Sequence, residues 1–307
     1  HDGRKSGRAV RIEGLSAMGA KFRDTGGMYE FEAKKLKGAD FTFRIPSVTG
    51  TETLMMAAVG ATGKTILRNA ACEPEIPALA EFLIQGGAVI RGAGTHTIEI
   101  EGLSAGASLK TERPFQIIPD RIEAGSLVIL GALAASDLLI EKCDPGHLGS
   151  LLVHLRAVGV PLETGADWIR VKKAKSLHAL NLKTREYPGF PTDLQAPFGI
   201  LLTQANGRSE IFETIFDGRL EYLKDLVRMG AEITFCDPHR VLVHGPTALR
   251  AREMESPDLR AGLAFVIAAL IADGESVIHN IYQIDRGYEN VEDKLAQLGA
   301  HIKRIEN

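Results

Sequence analysis

Three observations predict an α/β protein assembled from one repeated supersecondary unit. A glycine-centred phrase returns about every 70 residues, apolar helices return in step with it, and short alternating strands lie between them. The phrases LSAMGA, LIQGGA, LRAVGV, LVRMGA and LAQLGA centre on Gly19, Gly87, Gly159, Gly230 and Gly299, at intervals of 68, 72, 71 and 69 residues. In each, an amphipathic helix ends at a glycine able to take the left-handed conformation, and a strand follows. The runs TIEIE at Thr97–Glu101 and RVLVH at Arg240–His244 alternate, or nearly so, as half-buried strands do.

The second series consists of helices that open around Ser47, Asp120, Asp193 and Asp258, spaced by 73, 73 and 65 residues. Each begins with Ser, Thr or Asp near a proline and stays apolar for two to three turns, which predicts a buried helix. A short turn at Gly63, Gly207 or Gly274, or at Ser136-Asp137 in the other copy, then leads to a strand. Each unit reads strand, helix, strand, helix, strand or a close variant. Residues 1–118 hold about two units and form one domain; residues 119–307 hold three, which look complete, and form a second. If the units pack around pseudo-threefold axes, the helix N-termini gather on one face. Their unpaired N–H groups then favour an anionic ligand.

Composition narrows the function. The 307 residues carry 36 Lys+Arg against 39 Asp+Glu, a net charge of −3 that argues against nucleic-acid binding by bulk electrostatics. The longest nearly unbroken apolar stretch, Leu263–Ala272, is far shorter than the ~20 residues of a membrane span, and no secretory leader is visible. Cys72, Cys143 and Cys236 are odd in number and widely spaced, which excludes a disulfide framework and a thiolate metal cage and fits a reduced cytoplasm. The first residue is His1 rather than Met, so a longer parent protein is expected.

Seven ordered motifs carry a family resemblance: SVTGTE (Ser47–Glu52), NAACEPEI (Asn69–Ile76), PDRIEAG (Pro119–Gly125), PGFPTDLQ (Pro188–Gln195), FDGRLEYLKDLVRMGA (Phe216–Ala231), DLRAG (Asp258–Gly262) and IDRGYENVEDKLAQLGA (Ile284–Ala300). From about Ile12 onward the chain resembles the UDP-N-acetylglucosamine 1-carboxyvinyltransferases, enolpyruvyl transferases of peptidoglycan synthesis. The shikimate-type transferase shares their fold but is not expected to carry SVTGTE or IDRGYE. The resemblance implies two inside-out α/β domains of three units each, closing over substrate in the cleft between them. Six units are then expected and five are present. The family's N-terminal stretch, with a first strand for the second domain and a catalytic lysine in a KNA-type motif, has no counterpart here. The chain alone is therefore expected to be inactive or severely impaired, and its parent active.

The implied reaction moves the enolpyruvyl group of phosphoenolpyruvate to the 3-hydroxyl of UDP-N-acetylglucosamine and releases phosphate, with no metal or cofactor. Such chemistry needs a carboxylate near the hydroxyl, an acid near the methylene carbon, and cations around carboxylate and phosphate. The resemblance gives Asp193 the sugar hydroxyl, with Thr192 beside it; a helix cap or first-turn acid is the alternative. Ser256 and Pro257 predict the cap and first residue of the next helix, leaving Asp258 and Arg260 in its first turn. An arginine there opposes the helix dipole and so needs another reason; the family supplies one by placing it on phosphoenolpyruvate, against the alternative of a solvated Arg. Arg286, read as projecting from a turn after a strand, is the family's second anion clamp or else a surface arginine.

Arg121 and Arg219 line the family's cleft, and Glu73 matches an acid close to its lysine or is a helix-start carboxylate. Ser47, Val48, Thr49 and Gly50 match the segment that holds the uridine diphosphate; a capping box running to Glu52 is the alternative. The family's loop acid matches Asp2 if one residue is deleted before Ile12, and Arg4 or Arg8 stands for its loop arginine; a remodelled or truncated stretch is the other reading. The remaining histidines show no metal-type spacing. Cys72 has no activating group nearby in sequence and reads as a buried thiol. Other readings are a non-catalytic UDP-sugar-binding paralogue, a shikimate-type transferase, and a scaffold without ligand.

Overall fold

The computed structural model describes residues 3–26, 28–104 and 107–305, with side chains from residue 8 onward. The chain divides into two compact units, one of His1–Ile118 with Glu186–Pro188, the other of Pro119–Arg185 with Gly189–Asn307.

The first unit runs α1 (Gly3–Ala17), β1 (Lys21–Asp24), β2 (Tyr29–Glu32), β3 (Asp40–Thr42), α2 (Val48–Val59), β4 (Lys64–Arg68), α3 (Glu75–Gln85), β5 (Val89–Arg91) and β6 (Thr97–Glu101). The second begins with α4 (Arg121–Ala134), β7 (Asp137–Glu141), α5 (Gly149–Ala157), β8 (Leu162–Thr164), β9 (Trp168–Lys172) and β10 (Leu182–Lys183). It continues with α6 (Gln195–Thr203), β11 (Gly207–Phe212), α7 (Leu223–Arg228), β12 (Glu232–Asp237) and β13 (Arg240–Gly245). Then come β14 (Glu253–Glu255), α8 (Leu259–Ile271), β15 (Val277–His279), α9 (Tyr282–Asp285) and α10 (Val291–Gln297).

The repeat is visible in the sheets. The order β3-β4-β6-β5 recurs as β10-β11-β13-β12, and in both the first pair is parallel and the other two are antiparallel. The five phrase glycines all have positive φ, between 93° and 105°, so each ends its helix in the left-handed conformation and turns the chain into the next segment. The expectation of three complete units after Pro119 does not hold. The first has the three-stranded sheet β7-β9-β8, and the last only the parallel pair β14-β15 among the described residues. Helices and glycine turns carry the period, and an edge strand leaves no mark in it.

Within each unit the apolar helices are central and the larger sheets lie outside them, with strands such as β6, β9 and β13 burying one face. All nine residues of α6 are buried, whereas β9 and β13 alternate. In the second unit α4, α6 and α8 pack on one another. In the first unit α2 buries Leu54, Met55, Ala58 and Val59, and α1 packs on it where Gly14 lets Leu54 approach. A loop with an acid near the chain start is thus not what residues 3–17 form; they are α1, whose inward residues Val10 and Gly14 face α2.

Candidate active site

Three of the four residues spaced along the helix starts are caps. Ser47 Oγ accepts from Gly50 N at 3.2 Å, and Asp120 Oδ1 from Ile122 N and Glu123 N at 2.7 and 3.1 Å. Asp258 Oδ1 accepts from Arg260 N and Ala261 N at 2.7 and 2.9 Å. Asp193 differs. It lies in a 3-10 turn, Thr192–Leu194, that precedes α6, and neither this turn nor α6 has a side-chain cap. Its carboxylate joins two arginines instead: Oδ1 accepts from Arg219 Nη2 at 2.7 Å, and Oδ2 from Arg260 Nε at 3.1 Å. The cap fails at this one position, while Asp193 is a first-turn acid of the 3-10 turn. The Asp193 side chain is 33% exposed and the two arginines 17% and 18%, so a reachable carboxylate stands on largely covered cations.

The cap of α8 is Asp258 and not Ser256. Extended backbone at Asp258 (φ −158°, ψ 175°) aims its carboxylate along the helix axis, while the Ser256 hydroxyl is turned to the Asp258 carbonyl at 3.1 Å. Arg260 is then the second residue of the helix. Burial works against its charge but is outweighed by Asp193, with Tyr288 and Asp120 adding, so the guanidinium is held above its usual pKa. Its Nη1 is buried without a hydrogen-bond partner, which leaves one oriented donor for a ligand. That nitrogen lies 3.5 Å from where a Cβ on Gly287 would sit and Leu259 Cδ1 only 2.6 Å from it, so glycine lets this turn pack closely against the start of α8.

Arg286, one residue before Gly287, ends α9 and donates from Nη1 to Gln283 Oε1 at 3.0 Å. It follows a helical turn rather than a strand, because Asn280 (φ 55°) reverses the chain after β15. The structure thus brings Asp193, Arg219 and Arg260 into direct contact and sets Arg286 beside a glycine that faces Arg260. Arg121 is the half-buried first residue of α4.

Two residues of this mouth escaped the sequence reading. Glu213 is 1% exposed; Oε1 accepts from Ile215 N and Phe216 N at 2.8 and 3.2 Å, and Oε2 from Thr192 Oγ1 at 2.9 Å. It therefore fixes both the loop that carries Arg219 and the residue before Asp193. The available signal was parity: Ser209, Ile211 and Glu213 share the inward face of β11 and its extension, and an acid in that row must be satisfied internally. Tyr288 is the other. Buried with its hydroxyl 3.2 Å from Ser126 Oγ, it presents its ring 5.9 Å from the Arg260 guanidinium.

In the first unit Ser47, Val48, Thr49 and Gly50 open α2, with the Gly50 amide held by Ser47. Glu52 is not the partner of a capping box, since Gly50 occupies the third helical position. The Glu52 carboxyl is raised in pKa by burial and by Glu75 and Glu73. Glu73 precedes α3 with Oε2 buried and unbonded. Cys72 is half-buried and does have a neighbour, His96 Nδ1 at 3.5 Å, brought across by the fold from 24 residues away. Burial, then Glu73, pushes the Cys72 thiol up, so it is not an activated nucleophile. Arg8 donates to Tyr29 Oη at 3.1 Å and lies over that ring. Asp2 lies outside the described residues, as does the side chain of Arg4. Among the described residues no three His, Cys, Asp or Glu side chains are placed to hold a metal, and no helix is long and apolar enough to cross a membrane.

Comparison with known proteins gives a consistent result. A sequence profile of EPSP synthase (3-phosphoshikimate 1-carboxyvinyltransferase) matches residues 9–295. The UDP-N-acetylglucosamine 1-carboxyvinyltransferase of Koribacter versatilis is 45% identical over 296 residues, which is 96% of this chain and 67% of that protein. That of Acidobacterium capsulatum is 46% identical over 299 residues, 97% of this chain and 67% of the relative. This chain thus spans about two thirds of their length. Among solved structures, the enolpyruvyl transferase NikO from Streptomyces tendae matches with a TM-score of 0.89 at 24% identity, covering 96% of this chain and 72% of that one. EPSP synthase from Acinetobacter baumannii matches with a TM-score of 0.67 at 19% identity, covering 95% and 70%. These two establish the fold; together with the profile match over most of the sequence and the relatives at 45% and 46% identity, they place the chain in the EPSP synthase family of carboxyvinyl (enolpyruvyl) transferases.

Proposed function

We propose that this chain carries the machinery for transferring the enolpyruvyl group of phosphoenolpyruvate to the 3-hydroxyl of UDP-N-acetylglucosamine, with release of phosphate, in the bacterial cytoplasm. The observation that carries the reading is Asp193, which gives up the capping role of its three counterparts and meets Arg219 and Arg260. Relatives at 43–46% identity bear that enzyme's name, which favours the sugar nucleotide over shikimate 3-phosphate as acceptor.

In this reading the Asp193 carboxylate takes the proton of the sugar hydroxyl as its oxygen attacks C2 of phosphoenolpyruvate. C3 takes a proton from a general acid, giving a tetrahedral adduct that still holds phosphate. Loss of a proton from C3 then re-forms the double bond, the C2–O bond to phosphate breaks, and inorganic phosphate leaves. Arg260, with its unpartnered Nη1, and Arg286 hold the carboxylate and phosphate of the donor. Arg219 and Thr192 orient Asp193, and Asp258 fixes the helix start that carries Arg260. In the first unit the α2 mouth at Ser47, Val48, Thr49 and Gly50 takes the diphosphate, and Glu73 and Arg121 are polar contacts to the substrates. Asp2, just ahead of α1, is the general acid that serves C3.

Acceptor selectivity tests this. The chain is titrated calorimetrically with UDP-N-acetylglucosamine and, separately, shikimate 3-phosphate, each with phosphoenolpyruvate, and phosphate release is followed in the same mixtures. Saturation by the sugar nucleotide alone, with any phosphate release depending on it, is the expected result. Saturation by shikimate 3-phosphate alone, or by neither acceptor, overturns the reading.

A further inference from the structure

The repeated unit provides an internal control for a second site. At three equivalent junctions, the carbonyl before a phrase glycine accepts from a residue further along: Met18 from Lys37 N at 2.9 Å, Val158 from His178 N at 2.9 Å, and Met229 from Arg250 N at 2.8 Å. Each donor residue also makes an isolated parallel bridge, Lys37 to Thr62, His178 to Asn206 and Arg250 to Asp273. At the first two junctions the flanking side chains are small or apolar, Ala17 with Ala39 around Lys37 and Ala157 with Leu180 around His178. At the third, the same places hold Arg228 and Arg252 on either side of Arg250. The backbone closes identically with small or apolar residues at the two flanking places, so Arg228 and Arg252 are an addition to the junction, while Arg250 stands where the other copies carry Lys37 and His178.

These arginines line an open cleft of about 580 Å³ together with Met229, Gly230, Ala248 and Ala251. That volume suits a small ligand. Arg228 uses Nη1 on Asp225 at 2.7 Å, and Arg252 uses Nη1 on the Arg228 carbonyl at 2.7 Å, which fixes both while leaving other donors on each fork. Arg250 is exposed and has no side-chain partner among the described residues. Asp273, the other acid at the margin, is joined to Leu249 and Ala251 through its backbone. Guanidinium forks bind phosphate oxygens in pairs. Three forks on one cleft match a chain of two or three phosphate groups better than a lone monoanion.

We propose that the cleft formed by Arg228, Arg250 and Arg252 binds a small oligophosphate, free or as part of a nucleotide, at a site separate from the Asp193 mouth. A net charge of −3 sets this apart from nucleic-acid binding, which relies on an extended positive surface.

The test is calorimetric titration of the chain with sodium tripolyphosphate, ATP and a single-stranded RNA oligomer at about 0.15 M salt. Saturable binding of tripolyphosphate is expected, weakened about tenfold or more in Arg250→Ala and retained in Arg260→Ala. Circular dichroism checks the fold, and Arg250→Ala is the decisive variant because Arg252→Ala also removes the bond to the Arg228 carbonyl. Equal affinity for tripolyphosphate and ATP assigns the phosphate chain alone; tighter ATP binding assigns a nucleotide. Absence of saturation, an unchanged Arg250→Ala, loss in Arg260→Ala alone, or RNA binding tighter than both small probes overturns the proposal.

Discussion

Replacing Asp193 by Asn isolates the electrostatics of the mouth. The substitution keeps the shape but removes the negative charge shared by Arg219 and Arg260, at 2.7 and 3.1 Å. Taking one partner from a fully buried pair costs about 3–5 kcal/mol, and an exposed pair is worth about 0–1 kcal/mol. The carboxylate is one-third exposed over largely covered arginines, so the loss lies between, at about 1–3 kcal/mol. In a domain of this size each kcal/mol moves the melting temperature by roughly 2–4 °C, giving a drop of about 2–12 °C. The freed guanidiniums then attract anions, and a ligand that binds only the folded state raises its stability by mass action. Scanning calorimetry with and without phosphate should therefore show a larger phosphate-induced rise in Asp193→Asn than in the parent, even as turnover by an active form falls by about 10²-fold or more. An unchanged melting temperature together with an unchanged phosphate response would refute the argument that Asp193 is the counter-charge of this mouth.

Glu213→Ala should destabilise by about 2–4 kcal/mol, read from urea unfolding, because two backbone N–H groups and the Thr192 hydroxyl lose their acceptor. Glu213→Gln, which keeps one oxygen, should recover part of that. Arg304 holds Asp285 and Glu292 below their ordinary values of 3.8 and 4.5. Lowered carboxyl pKa values give stability that is present above those ordinary values and lost as pH falls through the depressed ones. Melting temperature between pH 6 and about 3 should thus fall less steeply in Arg304→Ala, by an amount worth no more than about 1 kcal/mol for these partly exposed pairs. Brief iodoacetamide treatment near neutral pH followed by mass spectrometry should label exposed Cys236 before Cys72 and Cys143, whose thiols burial pushes up.

The repeated helices and glycine turns were legible in the sequence because their signals are local. A left-handed glycine after an amphipathic helix is dictated by its immediate neighbours, and all five phrase glycines adopt it. Sheet composition was less legible, because whether an edge strand is present depends on a segment distant in sequence, as the three strands β7-β9-β8 among the described residues illustrate beside the four of β3-β4-β6-β5. The mouth divided in the same way. Arg260 stood out because an arginine in a first turn opposes the dipole. Its link to Asp193 across 67 residues, and that of Cys72 to His96 across 24, are products of the fold. The cap of α8 was misplaced because Ser256-Pro257 is a good local start. The backbone of Asp258 decided otherwise.

The position of the uncapped Asp193 follows from energetics. An Asp cap contributes about 1 kcal/mol to its helix, so a mouth that diverts the carboxylate to two arginines needs a helix that can do without it. For α6 this is met: every residue from Gln195 to Thr203 is buried, and Phe198, with no exposed surface, alone brings about 1.5–3 kcal/mol of apolar burial. The 3-10 turn before α6 also turns Asp193 away from the helix N–H groups, so the carboxylate does not have to be in two places. By contrast α4 and α8 keep their caps at Asp120 and Asp258, and α8 bears Arg260 in its first turn, where the carboxylate of Asp258 offsets an unfavourable cation. One repeated helix start thus supports two arrangements: a capped one that tolerates an arginine, and an uncapped one, stabilised by packing, that releases an acid to face it.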